Sequence, residues 1–325
     1  MMAETNIEPT LASLSERLRV LHRQTRETPL FNPVFQLSLD ISRKLESGDL
    51  GIADLGGLVD ELEAQSLDAR ANRLRNLLAP SDAGERLASL ASSGAAFDSY
   101  RALWEQPHMH VVFTAHPTFL LSPQQSEAVA QAVANGGDVR PGAAGEAPEI
   151  TLRYEHQCAM AALANAQDAR DRMVSAVLDR AQAEFPGRWC ELQPLPFRFA
   201  SWVGYDMDGR TDIKWYTSIA FRLSEKAQRL ERYAASLAAI DEAHPLIASL
   251  RGAAEHAAAS ADEFAGDLSD PADLSAAANR LTADHADKLL SLEPLIDRLE
   301  TEARDCAAER AVALRTLVSA MRADG

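Results

Sequence analysis

One histidine, in the segment Thr114-Ala-His-Pro-Thr118, is the residue best suited to catalysis. The residues before it, 110–114, are apolar and β-branched, which predicts a buried strand that ends at this segment. The imidazole of His116 reaches both its neutral and its charged form near pH 7, so it can transfer a proton or pair with an anion. Pro117 fixes the next backbone angle and so the direction in which the histidine is held. The residue type alone leaves a structural role for His116 open.

A second polar loop follows a second predicted strand at residues 196–203, where large apolar residues alternate with small or polar ones. In this loop two aspartates stand one residue apart between glycines, so a tight turn can present both carboxylates. Catalytic residues of barrel folds lie where strands end, so both loops are the places to look for chemistry. The candidate substrate-binding or active-site residues here are Arg198, Asp206, Asp208 and Arg210.

Two other interpretations of these loops remain open. The aspartates could form a turn that caps the following helix, with Asp208 or Thr211 near the first capping position. His108, His110 and His116 are evenly spaced, and on a strand they would share one side, as a metal site requires. Oxygen ligands do not continue at alternate positions after Asp208, so a calcium loop is excluded. We predict no metal ligands within this chain.

Composition and charge exclude several classes of protein. The 325 residues carry a formal net charge of −16, which repels nucleic acid phosphates and anionic membrane surfaces. An anion site must therefore come from a local concentration of arginine, histidine or helix N-termini. The three cysteines are far apart, without a metal-binding pair, as is usual in the cytoplasm. No signal peptide or membrane span is apparent, so we expect a cytoplasmic protein with neither nucleic acid nor membrane as a partner.

Helical periodicity dominates the rest of the chain, which predicts a mostly α-helical fold with a few strands. A long helix is expected from about residue 212 to residue 240. Residues 136–148 are rich in Gly, Ala and Pro and predict a flexible loop, and a further loop is expected at residues 268–275. A later helix over residues 289–299 should be kinked by Pro294.

The two loop motifs together resemble those of the phosphoenolpyruvate carboxylase family. Thr114-Ala-His-Pro-Thr118 is similar to the T-A-H-P-T signature of that family. The later segment, Phe199-Ala-Ser-Trp-Val-Gly-Tyr-Asp-Met-Asp-Gly209, resembles its F-x-S-W-x-G-G-D-R-D-G-N motif, at about the family's separation. The resemblance extends over the whole of this chain, which corresponds to only the first third to two-fifths of a typical family member. It implies the N-terminal portion, residues 1–325, of a single helix-rich β/α barrel domain of the TIM type.

The resemblance also implies an activity. Members join bicarbonate to phosphoenolpyruvate and form oxaloacetate and phosphate, with Mg²⁺ or Mn²⁺ as cofactor, and act as homotetramers. Bicarbonate attacks the phosphoryl group, and the carboxyphosphate then releases CO₂ beside the enolate of pyruvate. The histidine matching His116 handles the carboxyphosphate proton and holds the CO₂. The resemblance places the metal ligands beyond residue 325, so we expect a fragment that is inactive alone.

Several positions depart from the family pattern. Met207 stands where the family has Arg, Tyr205 where it has Gly and Arg210 where it has Asn, and the Arg pair that follows T-A-H-P-T is missing. Arginine is suited to binding phosphate and carboxylate, whereas methionine is not. A non-catalytic paralogue with a regulatory or scaffold role is therefore the alternative. A helical interaction protein unrelated to the family is a third interpretation.

Overall fold

A computed structural model describes residues 10–25, 32–78, 85, 96–114, 121–139, 151–208 and 210–324. These residues are mostly helical and contain two short strands, as the sequence predicts. The chain divides into two compact units, one comprising Met1–Pro80 and Leu121–Glu149 and the other Ser81–Leu120 and Ile150–Gly325. In the described part of the chain the strands form a two-stranded sheet and not a closed barrel, so the predicted barrel is not confirmed.

The elements, in chain order, are α1 (Leu11–Thr25), α2 (Pro33–Ser47), α3 (Ile52–Leu78), α4 (Phe97–Trp104), β1 (Met109–Phe113), α5 (Pro123–Asn135), α6 (Leu152–Glu184), a short 3₁₀ turn (Trp189–Glu191), β2 (Phe197–Ser201), α7 (Trp215–Ile240), α8 (Leu246–Glu263), α9 (Pro271–Thr282), α10 (Glu293–Asp305) and α11 (Ala308–Asp324).

The first unit is helical, and its helix ends follow from local sequence signals. Asn32 caps α2 by accepting hydrogen bonds from the next backbone amides, and Gly48 ends the helix in the left-handed conformation. Ser122 and Gln125 form a reciprocal capping box at the start of α5. Helix α1 packs on α2, and α3 packs on α5. The α3–α5 contact buries Leu67, Ala71, Val129, Ala132 and Val139.

The second unit has the larger hydrophobic core. Helices α7 and α8 pack along each other, and α11 packs against α6, α7 and α10. Burial of a leucine-sized side chain contributes roughly 1.5–3 kcal/mol, so this core holds the helices around the sheet. Its largest fully buried side chains include Tyr100, Leu178, Tyr233, Leu237, Leu250, Ile296, Leu299, Leu314 and Met321.

The sheet brings the starts of the two loop motifs together. Strands β1 and β2 are parallel, with Met109 paired to Phe197 and Phe113 paired to Ser201. The inner face of the sheet packs on α6 and α11. Because parallel strands end at the same edge, the segments after Phe113 and after Ser201 begin side by side. The predicted strands at residues 110–114 and 196–203 are thus confirmed with slightly different bounds.

Two prolines begin helices where the sequence interpretation placed a loop or a kink. Pro271 is the first residue of α9, and Asp270 caps that helix, so the loop predicted at residues 268–275 is wrong after residue 270. Pro294 lies in the first turn of α10, where a missing amide hydrogen removes no helical hydrogen bond, so it does not kink the helix. None of the described helices has both the length and the apolar character needed to cross a membrane.

Candidate functional site

The paired strand ends are joined by side-chain contacts as well as by the sheet. The hydroxyl of Ser201 donates a hydrogen bond to the carbonyl oxygen of Phe113 at 3.0 Å and accepts one from the amide of Val203 at 3.3 Å. This fixes the start of the second loop against the last residue of β1. His116 lies outside the described residues, so its predicted catalytic role stays a prediction.

The loop after β2 lies directly on an aromatic ring of α7. Gly204 has φ +91°, in the left-handed region, and a Cβ at this position would lie 2.3 Å from Cδ2 of Phe221. The hydroxyl of Ser218 donates to the carbonyl oxygen of Gly204 at 2.7 Å. Only glycine combines this backbone angle with so close an approach. The loop is therefore held in one position relative to α7.

A buried polar network supports the same loop. Oε1 of Glu225 accepts hydrogen bonds from the hydroxyl of Tyr205 at 2.5 Å and from Nε2 of His156 at 3.0 Å. The ring of His156 stacks on Phe221, with centroids 4.0 Å apart. Burial alone would raise the pKa of Glu225, but the hydrogen bonds from His156 and Tyr205 outweigh it and leave the pKa below its usual value. Burial and the neighbouring carboxylate raise the pKa of Tyr205, which therefore stays a donor.

The predicted loop residues form a turn and an ion pair. Oδ1 of Asp206 accepts from the amide of Asp208 at 3.1 Å, so the loop contains the aspartate turn that the sequence allowed. The predicted capping of the next helix by Asp208 or Thr211 is wrong, because α7 begins after Lys214. Asp206 and Asp208 are exposed.

Arg210 is already paired with carboxylates. Its Nε lies 2.8 Å from Oδ1 of Asp212 and its Nη2 lies 2.6 Å from Oδ2 of the same side chain. Its Nη1 also lies 3.4 Å from the buried carboxylate of Glu155. An anion that binds Arg210 must compete with these carboxylates.

Arg198 and the other histidines lie away from the inner face of the sheet. Arg198 pairs in register with His110, and both side chains are exposed. The ring of His108 contacts the carbonyl oxygen of Leu103 instead of a second histidine. Among the described residues no three metal-binding side chains form a group that could hold an ion.

A cavity beside the carboxyl half of β2 is lined by charged side chains of both signs. Its volume is about 850 Å³, and Ser201 is part of its wall. Arg222, Lys226 and Arg229 of α7 line it without forming an ion pair with a described carboxylate, and the carboxylates of Glu225, Glu293 and Asp324 stand in the same wall. Burial and the nearby charge of Lys288 lower the pKa of Lys226. In a chain with a net charge of −16, these three side chains are a local source of positive charge, which the carboxylates of the same wall partly offset.

The sequence interpretation missed these cations and the network beside them. Arg222, Lys226 and Arg229 are four and three residues apart, which places them on one face of a helix, and this spacing was a usable signal. No comparable signal links His156 to Glu225, because 69 residues separate them and only the fold brings them together.

The chain matches no model of a known protein family, and comparison with curated proteins and with solved structures gave no significant match. The resemblance to phosphoenolpyruvate carboxylases therefore rests on the two motifs and on their order in the chain.

We expect Tyr205→Phe to destabilise the protein by roughly 1.5–3 kcal/mol at neutral pH, because a buried carboxylate loses a hydrogen bond. The pKa of Glu225 lies below its ordinary value in the folded protein, so this contribution is present above about pH 4.3 and is lost as the pH falls through the folded pKa. Urea unfolding of both proteins at pH 7 and at lower pH should show a difference that shrinks with acid.

The matched control is Tyr216→Phe, in the first turn of α7. Tyr216 donates to Asp267 at 3.1 Å in an exposed setting, so its loss should have a smaller effect. Equal losses of stability in the two variants would show that the buried Tyr205–Glu225 hydrogen bond contributes no more than the exposed one.

Proposed function

We propose that the chain is the N-terminal portion of a phosphoenolpyruvate carboxylase-like enzyme that forms oxaloacetate and phosphate from phosphoenolpyruvate and bicarbonate. The observation that carries this proposal is the parallel, in-register pairing of β1 with β2. Because of this pairing, the T-A-H-P-T segment and the loop after β2 that contains Gly204 (the Gly204 loop) begin at the same edge of the sheet. Barrel enzymes carry their catalytic residues at that edge. Both compact units belong to one carboxylase-like domain in this proposal, and the sheet is the beginning of a TIM-type barrel.

The charge distribution beside that edge supports an anionic substrate. Phosphoenolpyruvate carries a phosphate and a carboxylate, and arginine and lysine are the side chains that neutralise such groups. The wall of the neighbouring cavity also contains the carboxylates of Glu225, Glu293 and Asp324, but Arg222, Lys226 and Arg229 form no ion pair with a described carboxylate. They attract the substrate, and His116 handles the proton of carboxyphosphate and holds CO₂ near the enolate. A positioned group with two accessible protonation states suits that task.

The cofactor in this proposal is Mg²⁺ or Mn²⁺. The described residues do not fit it, since Asp206 and Asp208 are exposed and no third ligand joins them. The resemblance, and not the geometry, places the ligands beyond residue 325. The assembly in the proposal is a cytoplasmic homotetramer.

A specific observation favours the alternative, a non-catalytic paralogue with a regulatory or scaffold role. The position matching the family's loop arginine is Met207, which is exposed. Arg210, the loop cation that could replace that arginine, is paired with Asp212 and Glu155. A loop arranged in this way offers no unengaged guanidinium to a phosphate.

Oxaloacetate formation by the complete natural gene product decides between the two. With Mg²⁺ present, the carboxylase proposal predicts a product that requires both phosphoenolpyruvate and bicarbonate. It also predicts transfer of one bicarbonate oxygen to the phosphate, because bicarbonate attacks the phosphoryl group. A folded, full-length protein that forms no oxaloacetate would establish the non-catalytic alternative.

A further inference from the structure

Arg315 of α11 is buried without a directly paired carboxylate among the described residues. Only 7% of its surface is exposed, and its Nη2 donates to the carbonyl oxygen of Leu192 at 2.8 Å. Its Nε has no hydrogen-bond partner, and no described carboxylate forms an ion pair with it. Burial lowers the pKa of the guanidinium from its ordinary value, and the nearby carboxylate of Glu300 offsets only part of this effect. A buried charge without a directly paired counter-ion is unfavourable, so the guanidinium can still accept a partner.

Among the described residues of the second unit, the other buried arginine shows the usual arrangement. Arg170 holds Asp324 with two hydrogen bonds, at 2.6 and 3.1 Å, and also contacts Asp171. The fold thus pairs a buried guanidinium with carboxylates when it has them. Arg315 instead contacts the carbonyl oxygen of Leu192 and the face of Trp189, whose ring centroid lies 5.8 Å from Cζ of the arginine.

A cavity of about 180 Å³ lies against Arg315, between α11 and the segment 192–195. Two carboxylates line this cavity, but both already have partners. Glu105 accepts from the amide of Gln193 at 2.8 Å and pairs with Arg101, while Glu300 pairs with Arg322 at 2.8 Å. The volume exceeds the roughly 30 Å³ share of a single water molecule, so a small polyatomic ion can enter.

We propose that this cavity binds a small oxyanion, of the phosphate or carboxylate class, through the guanidinium of Arg315. Planar guanidinium groups bind such anions with parallel, charge-assisted hydrogen bonds, and the unpartnered Nε is one donor of that kind. The anion supplies the missing counter-charge.

The position of the cavity indicates what binding does. Residues 192–195 lead into β2, which begins at Phe197, so the cavity lies at the opposite end of that strand from the Gly204 loop. A bound anion would hold α11 to the entry of β2 and thereby stabilise the strand. This site is independent of the proposed function, and either can fail without the other.

The test is thermal unfolding and calorimetric titration of the full chain with inorganic phosphate and, separately, with acetate at constant ionic strength. We expect saturable binding of one or both anions at one site. The melting temperature should rise on the order of 5–10 °C at a hundredfold excess over Kd. The tighter of the two anions identifies the class. Absence of saturable binding by the unmodified chain would overturn the proposal.

Two variants assign the binding to this residue. Arg315→Met should abolish the anion-dependent rise and should melt no lower than the unmodified chain without anion, because it removes an unpaired buried charge. Arg315→Lys should bind the anion at least tenfold more weakly, because lysine keeps the positive charge but lacks the planar guanidinium that forms parallel hydrogen bonds. The control Arg280→Met, at an exposed position, should keep the full rise. A rise that persists in both Arg315 variants would place the anion elsewhere and reject the site.

Discussion

Replacing Arg170 by methionine will lower the free energy of unfolding by about 3–5 kcal/mol, because it leaves a buried carboxylate without its partner. The side chains of Arg170 and Asp324 are 1% and 4% exposed, and two hydrogen bonds join them. A second arginine, Arg229, donates to the backbone carbonyl of Asp324. The pair fastens the last turn of α11 to α6 beneath the sheet. Urea unfolding at pH 7 measures the loss.

A control and a double variant separate the buried pair from ordinary surface charge. Arg251 and Glu231 lie 3.7 Å apart with both side chains more than half exposed, so Arg251→Met should cost no more than about 1 kcal/mol. In Arg170→Met combined with Asp324→Leu the loss should be smaller than the sum of the single losses, since no unpaired charge remains. Losses of the same size for Arg170→Met and Arg251→Met would contradict the account.

Replacing Gly204 by alanine will destabilise the protein by about 2–5 kcal/mol. Overpacking against the ring of Phe221 accounts for about 1–3 kcal/mol. The left-handed backbone at φ +91° adds about 1–2 kcal/mol for a residue with a Cβ. The displaced loop should also reduce any activity that depends on Asp206 and Asp208. Chemical unfolding measures the first effect, and the rate of oxaloacetate formation measures the second.

Gly48→Ala is the control for the backbone term. Gly48 has φ +80° and nothing within 4 Å of the position that a Cβ would take. Its substitution by alanine should therefore lower the stability only by the cost of placing a residue with a Cβ in the left-handed conformation. A second substitution, Phe221→Leu, should recover part of the Gly204→Ala loss by making room for the methyl group. No recovery, together with equal losses for the two glycine variants, would show that the contact with Phe221 does not matter.

Local sequence patterns predicted the elements that carry the candidate site. The β-branched residues before Thr114 and the alternation before Gly204 indicated both strands within a few residues. Periodicity also predicted the end of α7 at Ile240. These predictions succeeded because each signal lies within one short window of sequence.

Contacts between distant parts of the chain could not be predicted in this way. Tyr205 departs from the family's glycine, and only the fold shows that its hydroxyl reaches Glu225 and His156. The pairing of Arg170 with Asp324 spans 154 residues and has no local signature. The kink predicted at Pro294 was wrong for another reason. A proline in the first turn of a helix cannot be told from one inside a helix unless the start of the helix is known.

The most direct test of the central claim is the rate of oxaloacetate formation by the complete natural gene product and by its His116→Asn variant. The account predicts activity with Mg²⁺ in the unmodified protein and a loss of about 10²–10⁴-fold in the variant, the usual contribution of a positioned acid–base group. His110→Asn, on the exposed face of β1, should keep the activity. Equal activity of the unmodified protein and the His116→Asn variant, or no activity in a folded full-length protein, would contradict the account.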